Sequence, residues 1–379
     1  MKNDQNKVLF LTLSVFSETG GIQKVCRTLS KTLMEILHPT GQLQVLSLCD
    51  LTNDLDTRYL DFNNFRGFGN KRLRFCIHAI KQGLTAKVII LSHINLIFIA
   101  RLIKTANPTA QIIVLAHGTE IWRPITWWKV NFIKKRCLLW SVSQFTSKKI
   151  QELHGVKGRN IAVLHNCLDP FFSVPSNFKK PSHLLNRYHI KDGAIILLGI
   201  SRMASHEYDK GYDDVISSIP ALLKMHPNLC YLLAGKADAM ETARLNARIM
   251  DKGLQQHVKL IGYIKDDELS DHYLLADIFI MISKKEGFGL VFLEAAACGC
   301  KIICGNIDGS SEAVLHGKLG KQINPSNTRQ LQLAVSISLQ GSHDSNHSKN
   351  LQKMCMEHFG FLAYNQKVKQ LLTPFIKIS

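Results

Sequence analysis

The stretch that decides the fold is DIFIMIS at residues 277–283, followed closely by EGFGLVFLEAAA at residues 286–297. The first run has the length and the apolar composition of a buried strand. Two glycines, Gly287 and Gly289, then precede an apolar run that predicts a helix. We therefore expect a strand, a glycine turn and a helix in this order.

Such a helix start is an anion site, because its first N–H groups lack intrahelical acceptors and lie at the positive end of the helix dipole. Gly287 and Gly289 would let a phosphate approach the backbone closely. Glu294 would lie about one and a half turns into the helix, within reach of hydroxyls beside that phosphate. Phosphate with vicinal hydroxyls describes a nucleotide. Spacing alone leaves an ordinary glycine turn as the alternative.

The longer stretch EGFGLVFLEAAACG, residues 286–299, resembles the signature of the retaining GT-B glycosyltransferases of family four. In that family a Glu-x7-Glu motif holds a nucleotide-sugar donor. The resemblance implies an α/β fold of the GT-B class, with two Rossmann-like domains that face each other across a cleft. It also implies transfer of a hexose from a UDP- or GDP-sugar to a sugar or lipid-linked glycan acceptor, in polysaccharide or glycolipid biosynthesis. It extends over roughly residues 7–373.

The length of 379 residues suffices for two domains. Strand-like and helix-like runs alternate along the chain, which predicts parallel sheets wrapped by helices. We expect an acceptor-binding domain at 1–175, a nucleotide-sugar-binding domain at 176–355, and a last helical segment at 356–379 that packs back on the first domain. The polar run 341–350 predicts a loop, and the run 354–372 is predicted to be helical.

The cysteines and the apolar runs predict a cytoplasmic protein. Ten cysteines are scattered without a C-x-x-C pair, and we interpret Cys298, Cys300 and Cys304 as small buried hydrophobes rather than metal ligands. No apolar run reaches the length of about 18 residues that a membrane-spanning helix needs. The N-terminus carries no signal-peptide pattern.

Positive charge is concentrated in the first half. Residues 1–180 hold 25 Lys and Arg against 10 Asp and Glu, a net charge of +15, whereas the whole chain carries +18. Three partners fit such a half: an anionic membrane surface, an anionic substrate or nucleic acid.

The segment 122–136 holds three of the four tryptophans among five cations. This composition is typical of a segment at the membrane interface. The alternative is an ordinary helix with buried aromatic rings and a solvated basic face. Peripheral association with the inner face of the membrane is thus one expectation.

The family resemblance assigns candidate residues in the first half. Gly20 and Gly21 match a loop that closes over the donor phosphates from the opposite domain. His117 follows a predicted strand, where ligands of parallel sheets bind, and would hold a sugar hydroxyl or shape the acceptor pocket.

In the second half, Arg202 and Lys210 would bind the donor diphosphate and stabilise the charge that develops on it. Glu286 would position the donor sugar, and Glu294 would accept hydrogen bonds from the ribose. The catalytic candidates are Glu286, His117, Arg202 and Lys210. The donor-binding candidates are Gly20, Gly21, Arg202, Lys210, Gly235, Tyr263, Ile264, Glu286, Phe288, Gly289, Leu290, Val291 and Glu294.

We expect no metal and no cofactor besides the donor, because cations and backbone amides take the place of a metal. The one Asp-x-Asp sequence, Asp54 and Asp56, lies in a polar loop without supporting carboxylates. Two functions from other classes stay open. A nucleotide-sugar epimerase could share the two-domain plan, and a nucleic-acid-binding protein would explain the basic half. The sequence shows no stacked-aromatic signature, helix-turn-helix pattern or zinc spacing, so we expect no nucleic-acid partner.

Overall fold

The computed structural model describes residues 6–38, 42–205, 207, 209–340 and 345–377. The chain divides into two compact units. The first unit comprises Met1–Pro170 and Gly360–Ser379, and the second comprises Phe171–Phe359.

Within the described residues, the first unit contains a parallel sheet in the order β3-β2-β1-β4-β5-β6-β7. Its strands are β1 (Lys7–Thr12), β2 (Gln42–Ser47), β3 (Phe65–Gly67), β4 (Val88–Leu91), β5 (Gln111–Ala116), β6 (Cys137–Ser141) and β7 (Ile161–Val163). Helices α1 to α5 are Gly21–Leu37, Arg72–Gly83, Ile97–Ala106, Trp127–Arg136 and Gln144–His154.

The central strands of this sheet are apolar on both faces because helices cover both. In β1, Phe10 lies opposite Val45 of β2 and Ile90 of β4, and all three side chains are fully buried. Alternate residues along the strand pack into two separate core clusters, one on each face. Continuous apolar strands of this kind are typical of parallel sheets.

In the described part of the second unit, a parallel sheet follows the order β10-β9-β8-β11-β12-β13. Its strands are β8 (Ile195–Ile200), β9 (Leu229–Ala234), β10 (Val258–Gly262), β11 (Ile278–Met281), β12 (Lys301–Gly305) and β13 (Lys321–Ile323). Helices α6 to α13 are Ser182–Arg187, Tyr212–Met225, Ala239–Asp251, Leu269–Leu275, Leu290–Ala297, Ser310–Ala313, Thr328–Leu339 and Ser345–Phe359.

The strand order of the second unit reverses between β8 and β11. Ligands of open α/β sheets bind beyond the carboxyl ends of the strands at such a switch point. The carboxyl end of β11 leads directly into the stretch 286–297, so the fold delivers that stretch to the edge where a ligand is expected.

The last described helix, α14 (Phe361–Leu372), packs on α1 within the first unit. Val368 and Leu372 are fully buried in the same core cluster as Leu29 and Leu33 of α1. The Asn365 side chain adds polar contacts to this packing, since its Nδ2 donates to Oε2 of Glu35 at 2.9 Å.

One prediction about the end of the chain is wrong, and a second missed a break between two helices. Residues 345–350, predicted as loop, belong to α13, whereas 341–344 lie outside the described residues. The helix predicted over 354–372 is interrupted at Gly360, whose extended backbone caps α14. The physical reason for the first error is that α13 buries only Leu351, Cys355 and Phe359, which recur every four residues and leave its first turns polar.

Candidate functional site

The turn before α10 requires glycine at position 289. Gly289 is the N-cap of α10 and has φ of +93°, a region that other residues adopt only with strain. A Cβ atom at this position would lie 2.6 Å from the ring of Phe292. The sequence-predicted strand, glycine turn and helix are therefore present, with α10 beginning at Leu290.

Asp308 fixes the segment that contains Glu286, a contact that the sequence did not reveal. Its Oδ2 accepts the backbone N–H of Glu286 at 2.7 Å, and its Oδ1 accepts that of Ser310 at 3.0 Å. A Cβ atom on Gly309 would lie 2.0 Å from the carbonyl oxygen of Gly287, so the two loops touch. Burial raises the pKa of Asp308 to about 6, although the hydrogen bonds lower it. The signal available in the sequence was an Asp-Gly pair soon after a predicted strand.

Lys210 and Glu286 lie together in the structure. The Lys210 ammonium is 2.8 Å from Oε2 of Glu286, and their side chains are 23% and 21% exposed. The charge of Glu286 raises the pKa of Lys210 against the opposing effect of burial. A cation and a carboxylate thus share the carboxyl edge of the second sheet, where each can also contact a ligand.

Arg202 follows β8 as predicted but pairs with Glu207, and its side chain is 66% exposed. Glu207 belongs to the long polar loop between β8 and Lys210. Gly235 follows β9 with φ of +134°, and a Cβ there would lie 1.8 Å from the Ser201 carbonyl oxygen. Gly235 therefore allows the ends of β8 and β9 to pack closely.

The remaining donor candidates of the second unit differ in exposure. Tyr263 is 45% exposed, and the Lys236 ammonium lies 5.2 Å from its ring centroid. Ile264 and Phe288 are buried, while Leu290 and Val291 are partly buried at the start of α10. Their backbone groups, rather than the buried side chains, can face a ligand.

Glu294 is only 4% exposed. Its Oε2 accepts a hydrogen bond of 2.9 Å from the hydroxyl of Tyr273, which is fully buried in α9. Tyr273 is a second residue that sequence reasoning missed.

Asp50 organises the segment that leads to Gly20 and Gly21 in the first unit. It follows β2, is fully buried, and accepts the N–H groups of Val15 at 2.7 Å and Ser17 at 2.9 Å. Gly20 is the N-cap of α1 and supplies no side-chain cap. The sequence offered only an isolated aspartate after a predicted strand.

His117 lies at the carboxyl end of β5, as predicted. Its backbone N–H donates to Oε1 of Glu120 at 2.6 Å, and its Nε2 lies 2.9 Å from the carbonyl oxygen of Ser92. His93 lies on the neighbouring strand end, and burial lowers its pKa. The structure thus adds Glu120 and His93 to this edge of the first sheet.

The tryptophan-rich segment contains both buried and exposed rings. Trp122 and Trp128 pack against the core, whereas Trp127 at the start of α4 is 79% exposed. Among the residues that the structure describes, no helix combines the length and apolarity needed to cross a bilayer.

Asp54 and Asp56 do not converge on a common point. The Asp54 side chain accepts the Leu51 N–H at 2.7 Å, and Asp56 pairs with Arg58 at 2.6 Å. Across the described ranges, no group of three or more His, Cys, Asp or Glu residues is arranged to hold a metal ion.

The three clustered cysteines are buried thiols, as predicted. Cys298, Cys300 and Cys304 are at most 5% exposed. Burial raises the pKa of Cys298 to about 12, so the thiol stays protonated at neutral pH.

A family model matches part of the chain. Residues 185–354 match the model described as glycosyl transferases group 1, and the stretch 286–299 lies within the matched residues.

Curated relatives match part of the chain. The chain is 32% identical over 146 residues to a GDP-mannose-dependent alpha-(1-6)-phosphatidylinositol monomannoside mannosyltransferase of Mycobacterium tuberculosis, which covers 37% of this chain and 36% of that protein. It is 28% identical over 219 residues to a glycogen synthase of the same organism, over 58% of this chain and 47% of that protein. The alignments thus span about a third to a half of these relatives' own length.

Solved structures match nearly the whole chain at low identity. Anabaena Alr3699/HepE in complex with UDP-glucose superposes with a TM-score of 0.79 and 18% identity, over 97% of this chain and 99% of that chain. The apo form of the lipopolysaccharide outer core galactosyltransferase WaaB superposes with a TM-score of 0.71 and 14% identity, over 97% of this chain and 99% of that chain. These similarities confirm the predicted α/β fold of the GT-B class, with two Rossmann-like domains.

Proposed function

We propose that this chain is a retaining hexosyltransferase that uses a UDP- or GDP-sugar. The main support for the proposal is the contact between Lys210 and Glu286 beside the start of α10, at the switch point of the second sheet. The family match over residues 185–354 supports it.

The start of α10 would bind the donor diphosphate. The first N–H groups of a helix have no intrahelical acceptors, and the helix dipole favours an anion there. We assign the backbone of Phe288, Gly289, Leu290 and Val291 to the sugar and phosphates, and the buried carboxylate of Glu294 to the ribose hydroxyls. Tyr263 and Ile264 would lie near the base, and Gly235 would border it.

Transfer would depend on stabilising the leaving group. As the bond between the anomeric carbon and the diphosphate oxygen breaks, negative charge develops on the diphosphate. Lys210 and, once released from Glu207, Arg202 would stabilise this charge, and Glu286 would orient the sugar. The acceptor oxygen then bonds to the anomeric carbon on the same face, and its proton passes to a phosphate oxygen of the leaving group. No step in this scheme calls for a metal.

The first unit would bind the acceptor. His117 is partly exposed at the end of β5, where an imidazole can hold a sugar hydroxyl. Gly20 and Gly21, which follow the segment bound by Asp50, would contact the donor phosphates. We place the boundary between the acceptor-binding and donor-binding domains near residue 175, with residues 356–379 returning to the first domain.

The names of the relatives indicate the substrate class. A mannosyltransferase that acts on a phosphatidylinositol monomannoside uses GDP-mannose, and a structural neighbour was solved with UDP-glucose. We propose a glycan or lipid-linked acceptor, within polysaccharide or glycolipid biosynthesis, and work in the cytoplasm.

The first unit offers a surface for an anionic membrane. Helix α3 contacts both α2 and α4, and these three helices expose Leu73, Ile77, Phe98 and Trp127 by 55% to 79%. Exposed cations accompany them, including Arg72, Arg74, Lys81, Arg101, Lys134, Lys135 and Arg136. Apolar side chains among cations match a layer of anionic headgroups above acyl chains.

A screen of nucleoside-diphosphate sugars by thermal shift tests the proposal, followed by NMR of the product formed with the stabilising donor. We expect one donor to raise the melting temperature and the product to keep the donor's anomeric configuration. Donor turnover without an acceptor would instead indicate an epimerase or hydrolase. Binding of random DNA without any response to nucleotide-sugars would contradict the proposal altogether.

A further inference from the structure

Tyr273 and Glu294 form a buried pair beneath the proposed ribose site. They lie 21 positions apart on α9 and α10, and the Tyr273 hydroxyl donates to Oε2 of Glu294 at 2.9 Å. Tyr273 is fully buried and Glu294 is 4% exposed. A carboxylate removed from water to this extent depends on its hydrogen-bond donors.

The position of the Tyr273 hydroxyl is fixed by aromatic packing. The ring of Tyr273 meets that of Phe279 edge-on, with centroids 5.4 Å apart at 69°. Phe279 meets Phe292 in the same way, at 5.8 Å and 73°. Since Phe279 lies in β11 and Phe292 in α10, the phenol is held against the same strand and helix that carry the proposed donor site.

The phenol is a donor at every physiological pH. Burial and, secondly, the neighbouring charge of Glu294 raise the pKa of Tyr273 well above its ordinary value. The Tyr273 hydroxyl therefore keeps its proton and directs it to the Glu294 carboxylate, which limits the rotation of that carboxylate about its last bond.

We infer that Tyr273 is a positioning residue for ribose recognition, because its hydroxyl sets the orientation in which the Glu294 carboxylate meets the 2′- and 3′-hydroxyls. The inference rests on the proposed function. It makes the preference for a ribonucleotide over a 2′-deoxyribonucleotide depend on a residue that does not touch the ligand.

Calorimetric titration with UDP, GDP and their 2′-deoxy forms tests this inference in the full chain. Wild-type protein should bind one ribonucleoside diphosphate roughly ten- to a hundredfold more tightly than its deoxy form, the value of hydrogen bonds to a carboxylate. Glu294→Gln should lose most of this preference for the ribonucleotide over its deoxy form. Tyr273→Phe should reduce it by about three- to tenfold, the value of one hydrogen bond.

Tyr212→Phe is the matched control. The Tyr212 hydroxyl donates to Oε1 of Glu241 at 2.6 Å, and the two residues are 3% and 0% exposed. The control therefore removes the same kind of buried contact from the same unit. Its melting temperature should fall by about as much as that of Tyr273→Phe, while its preference for ribose stays at the wild-type value.

The outcomes separate the inference from the proposed function. If the wild-type protein binds neither UDP nor GDP, the proposed function fails and the inference with it. If it prefers the ribonucleotide and Tyr273→Phe keeps the full preference, or Tyr212→Phe loses as much, only the inference is overturned. Should Tyr273→Phe fail to fold, Phe279→Leu, which loosens the ring holding Tyr273, is expected to lower the same ratio.

Discussion

The ammonium of Lys210 lies 2.8 Å from a carboxylate oxygen of Glu286 across 76 positions of sequence. Both side chains are about one-fifth exposed, so the pair is largely buried but still open to solvent. A diphosphate bound to Lys210, as proposed, would compete with Glu286 for the same cation. Binding would thus free the Glu286 carboxylate for the sugar at the moment when the phosphate arrives.

Lys210→Met should lower kcat by roughly 100- to 1000-fold, the range for losing one group that stabilises developing negative charge. The donor KM should change less, because the charge is greatest in the transition state. Steady-state kinetics with the identified donor gives both constants. Lys284→Met is the control, since Lys284 pairs with Asp214 at 3.0 Å in the same region. Its kcat should fall by less than tenfold. Equal losses in the two variants would contradict a specific role for Lys210.

Stability should depend on pH through Asp308. Burial raises the pKa of Asp308 from its ordinary value of 3.8 to about 6, so the folded protein binds this proton more tightly than the unfolded chain. The contribution of Asp308 is then most favourable below pH 3.8 and is lost as the pH rises to about 6, by on the order of 3 kcal/mol. In chemical denaturation between pH 4 and 7, the unfolding free energy of the wild type should fall relative to that of Asp308→Asn as the pH rises. Parallel curves would show that Asp308 titrates at its ordinary pKa.

Gly289→Ala should disrupt the turn before α10. The substitution combines a positive φ with a Cβ atom 2.6 Å from the Phe292 ring, and we expect a loss of about 2–4 kcal/mol in unfolding free energy. Gly253→Ala is the matched control, because Gly253 also has positive φ, +64°, but its Cβ would meet nothing within 4 Å. The unfolding free energy of the Gly253→Ala control should fall by only about 1 kcal/mol. Both values are measured by denaturant unfolding. Similar losses in the two variants would show that the contact with the Phe292 ring contributes nothing.

Trp127→Ala should weaken binding to anionic vesicles. Trp127 is 79% exposed at the start of α4, and its removal should reduce co-flotation with phosphatidylserine vesicles severalfold. Leu362→Ala is the control, since Leu362 is equally exposed on α14 of the same unit. High salt should release both variants from the vesicles, because it screens the attraction between their cations and the anionic headgroups. A wild-type protein that never floats, even at low salt, would rule out the proposed membrane surface.

Sequence periodicity predicted the elements whose signal is local. The apolar run of β11, the glycine turn and α10 could be read directly, as could the strand ends that carry His117 and Arg202. The family resemblance added the fold class, because it relates separate motifs to one architecture.

The contacts that hold the site together were not predictable, because they join distant positions. Asp308 binds the backbone of Glu286 across 22 residues, and Tyr273 reaches Glu294 from the preceding helix. The partner of Arg202, Glu207, lies in a polar loop with no periodic pattern. The first turns of α13 were predicted as loop for a related reason. The few buried residues of this helix pack against α10, and that contact joins distant positions of the sequence.

The return of α14 to the first unit has a consequence for synthesis. Val368, Leu372 and Ile376 are at most 4% exposed in a core that also contains Val8, so this core stays open until residues 361–376 leave the ribosome. The second unit, which is encoded in between, is complete earlier. The first unit, most of which is translated before the second unit, therefore finishes folding after it. Nascent protein should need protection of the exposed face of α1 until α14 emerges.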